Sequence, residues 1–266
     1  MDCFEQLACW ALDCNRIELY LGEIKEDKRK THRFLRALRQ LTYGVPIQYI
    51  MGEAEFMGLK FYVSPLVFIP RPETEILVEG VLNLVKEKRF RSPYIFEIGT
   101  GSGTIAISLT KYNPSCRILA SDISKDALKL ALANAKLNGV IRRIEFVLAD
   151  LFAGISEKEG FDLIISNPPY IPSENYDTLP AEVKSEPKIA LDGGTQGLNF
   201  YERIIPQSAK RLKPEGYLIL EMGLGQTEAI QNLIDQTRAY RKIKILKDYN
   251  GIDRVIFAKR RQAING

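Results

Sequence analysis

Residues 94–103 read Tyr-Ile-Phe-Glu-Ile-Gly-Thr-Gly-Ser-Gly, an apolar run that breaks into alternate glycines at 99, 101 and 103. The run is short and rich in branched and aromatic side chains, which predicts a buried strand. Glycines in this spacing let the backbone turn sharply and approach a ligand closely. The helix predicted from about Ser102 would offer unpaired N–H groups at its start. The pattern differs from Gly-x-Gly-x-x-Gly, because no glycine stands three residues after Gly101. It also lacks the Gly-Lys-Ser/Thr ending of a phosphate-cradling loop. Taken alone, such a turn fits several nucleoside-bearing ligands.

Downstream, short apolar runs at 116–121, 144–149, 161–166 and 217–222, and a closing pair near 243–248 and 254–258, alternate with helical patterns. Helices are expected from Ser102, Ser124 and Ala153, and over 198–212 and 226–237. Strands alternating with helices predict an α/β fold, a doubly wound parallel sheet covered on both faces. Asn250-Gly251 predicts a terminal hairpin, and with it a last strand antiparallel to its neighbour. Glu97, Asp122 and Asp150 close the first three runs. They would line the carboxyl edge of the sheet, where such folds bind ligands; the second acid stands about twenty residues beyond the turn, where ribose-binding acids are found.

Upstream, 4–44 has helical period, with Leu7, Trp10, Ala11 and Cys14 on one face and Phe34, Leu35, Leu38 and Leu41 on another. The stretch 25–39 between them is rich in Lys and Arg and is expected to be a solvated helix face. Residues 54–69 look extended, with a hairpin at Gly58. The expected division is a helical substrate-binding unit over 1–53, a hairpin linker over 54–72 and a catalytic unit over 73–266.

Composition narrows the function classes. Lys+Arg 37 against Asp+Glu 33 gives +4, a balance that falls far short of a nucleic-acid signature. Cys3, Cys9, Cys14, Cys116 and the single His32 show no metal-ligand spacing, so no metal is expected. No apolar leader and no run approaching the roughly 20 residues of a membrane span is present, so a cytoplasmic protein with reduced thiols is expected.

The sharpest chemical signal is Ser166-Asn167-Pro168-Pro169-Tyr170-Ile171-Pro172, directly after the fourth run. Consecutive prolines cannot continue a parallel ladder and they fix φ, so the turn is rigid. An amide or arylamine nitrogen is a poor nucleophile because its lone pair is delocalised. The Asn167 side-chain oxygen and the Pro168 carbonyl can each accept one of its hydrogens, while Tyr170 stacks on the planar group. Positioning and electrostatics would then carry the rate.

An acid followed by Gly-x-Gly-x-Gly resembles the ligand turn of class I methyltransferases, and the likeness covers about 94–259. It implies a seven-stranded sheet and S-adenosyl-L-methionine as cofactor, with S-adenosyl-L-homocysteine as product. By that resemblance Glu97 stands behind the turn formed by Gly99, Thr100, Gly101, Ser102 and Gly103, and either orients it or binds the amino group of the cofactor. Asp122, followed by Ile123, takes the ribose hydroxyls. Asp150, Leu151 and Phe152 flank the adenine, and Asn167 borders both ligands. The Asn-Pro-Pro-Tyr turn is similar to a signature shared by N6-adenine DNA methyltransferases and N5-glutamine protein methyltransferases, and does not choose between them.

Three further stretches do. Pro46-Ile47-Gln48-Tyr49-Ile50-Met51-Gly52-Glu53, Ile69-Pro70-Arg71-Pro72-Glu73-Thr74-Glu75, and Glu186-Pro187 with Ala190-Leu191-Asp192-Gly193-Gly194 and Gly197-Leu198 resemble, in order, the bacterial release-factor glutamine methyltransferase family. The resemblance implies methylation of the Gly-Gly-Gln glutamine of class 1 peptide chain release factors, with the N-terminal helices helping to bind them. A monomer with no membrane and no direct nucleic-acid partner is expected. Arg71, held between two prolines, reads equally as pocket wall or substrate contact. The enzymatic alternatives are glutamine methylation of ribosomal protein uL3, whose enzyme carries Pro-Arg-Ser at this point, and N6-adenine methylation of DNA. A non-catalytic binding module is the alternative of another class. Two departures from the family pattern are Glu97 for the more usual Asp, and Leu151 where an aromatic often stands.

Overall fold

The computed structural model describes residues 2–24 and 27–262. Lys25 and Glu26 of the basic stretch, and 263–266 at the end of the expected catalytic unit, lie outside the described residues. The chain opens with α1 (Cys3–Leu12), capped by the Asp2 carboxylate, and α2 (Arg16–Leu21), started by an Asn15/Glu18 capping box. Next come α3 (Lys28–Thr42) and α4 (Ile47–Met51). Leu7, Ala37 and Ile47 form their small core. The basic face of α3 is partly engaged: Arg33 donates to the Ala11 and Trp10 carbonyls and pairs with Asp13 at 2.7 Å. It thereby neutralises the negative end of α1.

Strands β1 (Glu53–Phe56) and β2 (Leu59–Tyr62) form an antiparallel hairpin around Met57-Gly58. Both turn residues have positive φ, 53° and 68°, as a tight hairpin matching strand twist requires. Helix α5 (Pro72–Glu87) starts on a proline, whose missing N–H costs nothing there. Then follow β3 (Tyr94–Ile98), α6 (Thr104–Tyr112), β4 (Arg117–Asp122), α7 (Lys125–Leu137), β5 (Ile144–Leu148) and β6 (Phe161–Ser166). A short pair, β7 (Ile171–Pro172) and β8 (Asp192–Gly194), brackets α8 (Ala181–Lys184). The chain closes with α9 (Asn199–Arg211), β9 (Leu212–Glu221), α10 (Thr227–Gln236), β10 (Tyr240–Lys247) and β11 (Asp253–Arg260).

The main sheet has the order β10-β11-β9-β6-β3-β4-β5. It is parallel except for β11, which runs antiparallel to both β9 and β10. Period-two alternation divides the strands between two cores. Ile95, Leu163, Ile165, Ile219 and Phe257 face the side covered by α5 and α6. Phe96, Ile164, Leu218, Leu220 and Ile256 face the side covered by α9 and α10.

One local boundary is sharpened and one expectation is corrected. The helix expected from Ser102 begins at Thr104, because Gly103 is left-handed at φ 85° and acts as its cap. No helix starts at Ala153; single turns join Asp150 to Ala153 and Phe152 to Ile155, and the chain then enters β6. Positive φ at Leu151, Gly154 and Gly160 (51°, 78° and 67°) interrupts any helical run there.

Candidate active site

The glycine turn is tied to the neighbouring strand by backbone. The Gly99 and Thr100 N–H groups both donate to the Ser121 carbonyl at 2.9 Å. Gly101 N–H donates to one Asp122 oxygen at 2.8 Å and Ser124 N–H to the other at 2.9 Å. Burial raises the Asp122 carboxyl above its ordinary value, while the N–H groups of Ser124, Gly101 and Ile123 pull it back. Each oxygen retains a lone pair for a ligand hydroxyl. At Gly103 a side chain would bring Cβ within 2.9 Å of Ile107 Cδ1 and 3.1 Å of Ala131 Cβ, so glycine lets the turn sit on α7.

Glu97 is 1% exposed and accepts from the Thr100 hydroxyl at 2.9 Å and the Ala106 N–H at 3.1 Å. Burial pushes its carboxyl up to about 8. It stitches the turn to the first turn of α6 from behind and is absent from the cavity wall, so the expected cofactor contact of Glu97 is corrected to a supporting one.

A continuous cavity of about 500 Å³ runs along the carboxyl edge of the sheet, past Leu151, Ile123, Asp122 and the glycine turn to Asn167 and Tyr170. At its far end Asp150 pairs with Arg203 at 2.7 Å. Leu151 lines the cavity, but Phe152 does not. The Phe152 ring lies in the core, 5.4 Å from Phe96 and 4.8 Å beneath the Arg211 guanidinium. The left-handed backbone at Leu151 turns the chain so that the two side chains diverge. The expected adenine contact of Phe152 is therefore corrected to a supporting one.

At the near end, β6 stops at Ser166, whose hydroxyl donates to the Ile98 carbonyl at 2.9 Å. Asn167 Nδ2 donates to Thr74 Oγ1 at 3.1 Å, which occupies the donor end of the carboxamide and leaves its oxygen for a ligand. Glu221, 1% exposed at the end of β9, lies beside both groups. Burial pushes its carboxyl up to about 7, against hydrogen bonding from Thr74 and Asn167. Burial also holds the Tyr170 phenol far above its ordinary value.

The Asn-Pro-Pro-Tyr turn is fastened from outside. Gln226 Nε2 donates to the carbonyls of Tyr170 at 3.0 Å and Gln196 at 3.1 Å, and Gln226 Oε1 accepts from Gly223 N–H at 2.9 Å. A Cβ at Gly197 would lie 2.1 Å from the Tyr170 carbonyl oxygen, and one at Gly193 would lie 2.7 Å from that of Pro169. These glycines are close-approach positions, where the loop lies directly against the turn.

Arg71 stands in the cavity wall, stacked 4.9 Å over Phe68 and paired with Glu186. Glu186 is 3% exposed, and its second oxygen accepts from Ile69 N–H at 3.0 Å. Thr74, Glu221 and Gln226 had no place in the sequence reading. Thr74 stood inside the quoted 69–75 stretch, but nothing local marks the other two.

A family model described as Methyltransferase small domain matches residues 73–184. A release factor glutamine methyltransferase of Moorella thermoacetica is 41% identical over 260 residues, covering 97% of this chain and 90% of its own. One from Aquifex aeolicus is 40% identical and covers 91% and 84% respectively. Among solved structures, a methyltransferase from Pyrococcus furiosus shares the fold, with a TM-score of 0.53 and 17% identity over 88% of this chain and 100% of that one.

Proposed function

The chain belongs to the release factor glutamine methyltransferase family, and on that premise we propose that it methylates the N5 amide nitrogen of the Gly-Gly-Gln glutamine in class 1 peptide chain release factors. S-adenosyl-L-methionine is the donor and S-adenosyl-L-homocysteine the product. The observation that carries this reading is one cavity whose wall holds both the acid Asp122 and the amide-binding Asn167.

The residues present fit the cofactor. Asp122 offers two acceptor oxygens fixed by backbone N–H groups, to which both ribose hydroxyls donate. Ile123 and Leu151 supply apolar surface for the adenine, and Gly99, Thr100, Gly101 and Ser102 border the amino-acid end, while Gly103 lies off the cavity wall and packs against α7 instead of meeting the ligand as expected. Bound there, S-adenosyl-L-methionine supplies an electrophilic methyl on a sulfonium, so the reaction calls for neither a metal nor a strong base.

The acceptor end supplies geometry and charge. The Asn167 oxygen and the Pro168 carbonyl each accept one hydrogen of the glutamine amide. That aims the nitrogen at the methyl and stabilises the positive charge that develops on it. Tyr170 packs on the amide plane. The surplus proton leaves to water after transfer. Arg71, held by Glu186, closes the side of the pocket.

Residues 1–53 act as the release-factor-binding unit, 54–72 as the hairpin linker and 73–266 as the catalytic unit. The protein works as a monomer in the cytoplasm without direct contact to nucleic acid. No helix among the described residues is long and apolar enough to cross a membrane.

The test is incubation with methyl-labelled S-adenosyl-L-methionine and an unmodified class 1 release factor, followed by peptide mapping. A single methyl on the Gly-Gly-Gln glutamine is expected. Label on ribosomal protein uL3 or on DNA adenine instead would overturn the assigned acceptor.

A further inference from the structure

We propose that Glu221 is the positioning residue for Asn167: through the Thr74 hydroxyl it fixes the carboxamide in the orientation that turns its oxygen toward the acceptor nitrogen. The proposal rests on the acceptor reading above and adds a residue that lies outside the cavity wall.

The problem it solves is one of polarity. A carboxamide has nearly the same shape after a half-turn about its last bond, but the turn exchanges an acceptor for two donors. An acceptor nitrogen that carries hydrogens is bound only by the oxygen. The flipped state sets N–H groups against N–H groups and binds nothing. Thr74 Oγ1, 3.1 Å from Asn167 Nδ2, cannot choose by itself, because a hydroxyl both donates and accepts.

A carboxylate behind the hydroxyl removes the ambiguity. Ionised Glu221 only accepts, so the Thr74 hydroxyl donates to it and keeps only lone pairs for Asn167. The Asn167 NH2 group must then face Thr74, and the oxygen faces the cavity. Glu221 is 1% exposed, follows Leu220, which pairs with Ser166, and so stands beside Asn167 with one buried oxygen, Oε2, that has no partner. Burying a carboxylate this deeply is costly, and a glutamine would fill the same space at less cost. A carboxylate that persists there is accounted for by its acceptor-only character, which glutamine lacks.

The other charged and titratable groups around it leave that role to Glu221. Arg254 of β11 is paired with Asp248 at 2.8 Å and draws the Glu221 carboxyl down, while Glu73 of α5 pushes it up. The Tyr201 hydroxyl of α9 donates to the main-chain carbonyl of Glu221 at 2.8 Å, not to its carboxylate. Tyr170 is half-buried, and desolvation holds its phenol far above its ordinary value and protonated. With the carboxyl at about 7, acidification converts Glu221 into a donor within the working range, and the Thr74 hydroxyl loses its fixed direction.

The experiment compares wild type, Glu221→Gln, Asn167→Ala and the double variant. Transfer to the release factor is measured from about pH 5.5 to about pH 8.5, with cofactor affinity by calorimetry. The Asn167 side-chain NH2 resonances are followed by 15N NMR in wild type and Glu221→Gln. Glu221→Gln is expected to lower kcat roughly tenfold in the alkaline range, with KM for the release factor and Kd for the cofactor little changed. The wild-type loss of kcat on the acid side is expected to be absent from Glu221→Gln. The double variant is expected to be no slower than Asn167→Ala alone, because the two residues act as one unit. The Asn167 NH2 resonances should titrate with a midpoint of about 7 in wild type and not in Glu221→Gln. Multiplicative losses in the double variant, or an unchanged acid limb in Glu221→Gln, would overturn the proposal. Should wild type not label the release factor at all, the acceptor reading fails, and the NMR pair still decides: NH2 resonances that titrate alike in both proteins overturn the positioning role.

Discussion

The two ends of the cleft are built by opposite means. At the cofactor end a few contiguous residues and one acid are fixed mainly by backbone, with Gly99, Thr100 and Gly101 all bonded to residues 121 and 122. At the acceptor end, side chains from distant segments converge. Thr74 meets Asn167 across 93 positions, Ile69 meets Glu186 across 117, and Gln226 meets Tyr170 across 56. Backbone scaffolding holds a ligand common to many enzymes, whereas side-chain scaffolding holds the part that distinguishes one acceptor from another. The first tolerates local change, and the second links remote positions into one unit.

The largest expected effect separates the two ends chemically. Asn167→Ala should lower kcat on the order of 10³-fold, the scale of a lost oxyanion-type contact, while calorimetry finds cofactor Kd within about threefold of wild type. Equal losses in both would mean that the two ends are not separable.

Next in size is a contrast in glycine replacement. Gly197→Ala places Cβ 2.1 Å from the Tyr170 carbonyl at φ 72°, so it should cost about 3 kcal/mol or more in urea unfolding. Gly99→Ala has open space around its Cβ and suffers only from φ 71°, so about 1 kcal/mol is expected. Equal costs would sink the claim that Gly197, unlike Gly99, is a position of close backbone approach.

Asp122→Ala removes a charged acceptor for two ribose hydroxyls. Calorimetry should find cofactor Kd raised by roughly 10- to 100-fold, with the kcat of saturated enzyme falling far less than in Asn167→Ala. The smallest effect belongs to Leu151→Phe, which returns an aromatic to the adenine wall. A tightening of cofactor Kd by about threefold is expected, and no change at all would place the adenine elsewhere along the cavity.

The same contrast explains what could be read from the sequence. The alternation of strands and helices, with its reversed last strand, follows from apolar runs and one Asn-Gly turn, and the acids at the carboxyl edge follow from their place at strand ends. These are regularities of spacing, and spacing survives without three-dimensional information. Glu221 also ends an apolar run, but its partners become visible only once β9 lies beside β6, which spacing along the chain does not show. Phe152 departs from expectation for a related reason: it is adjacent to Leu151 in sequence, but the left-handed backbone at Leu151 sends the two side chains to different surfaces. The helix expected from Ala153 failed because glycines at 154 and 160 outweigh a weak helical pattern.

The bond between Glu186 and the Ile69 N–H, with Arg71 on the other carboxylate oxygen, has a consequence for heredity. The segment that joins the N-terminal helices to the rest of the chain is chemically completed by a residue encoded more than a hundred codons later. Recombination that exchanges the N-terminal part between diverged relatives inherits Arg71 from one parent and position 186 from the other. A mismatch there strands either a buried carboxylate or a guanidinium without its counter-charge. Viable hybrids should therefore carry the two positions from the same parent, so that a continuous crossover map has one forbidden interval between them.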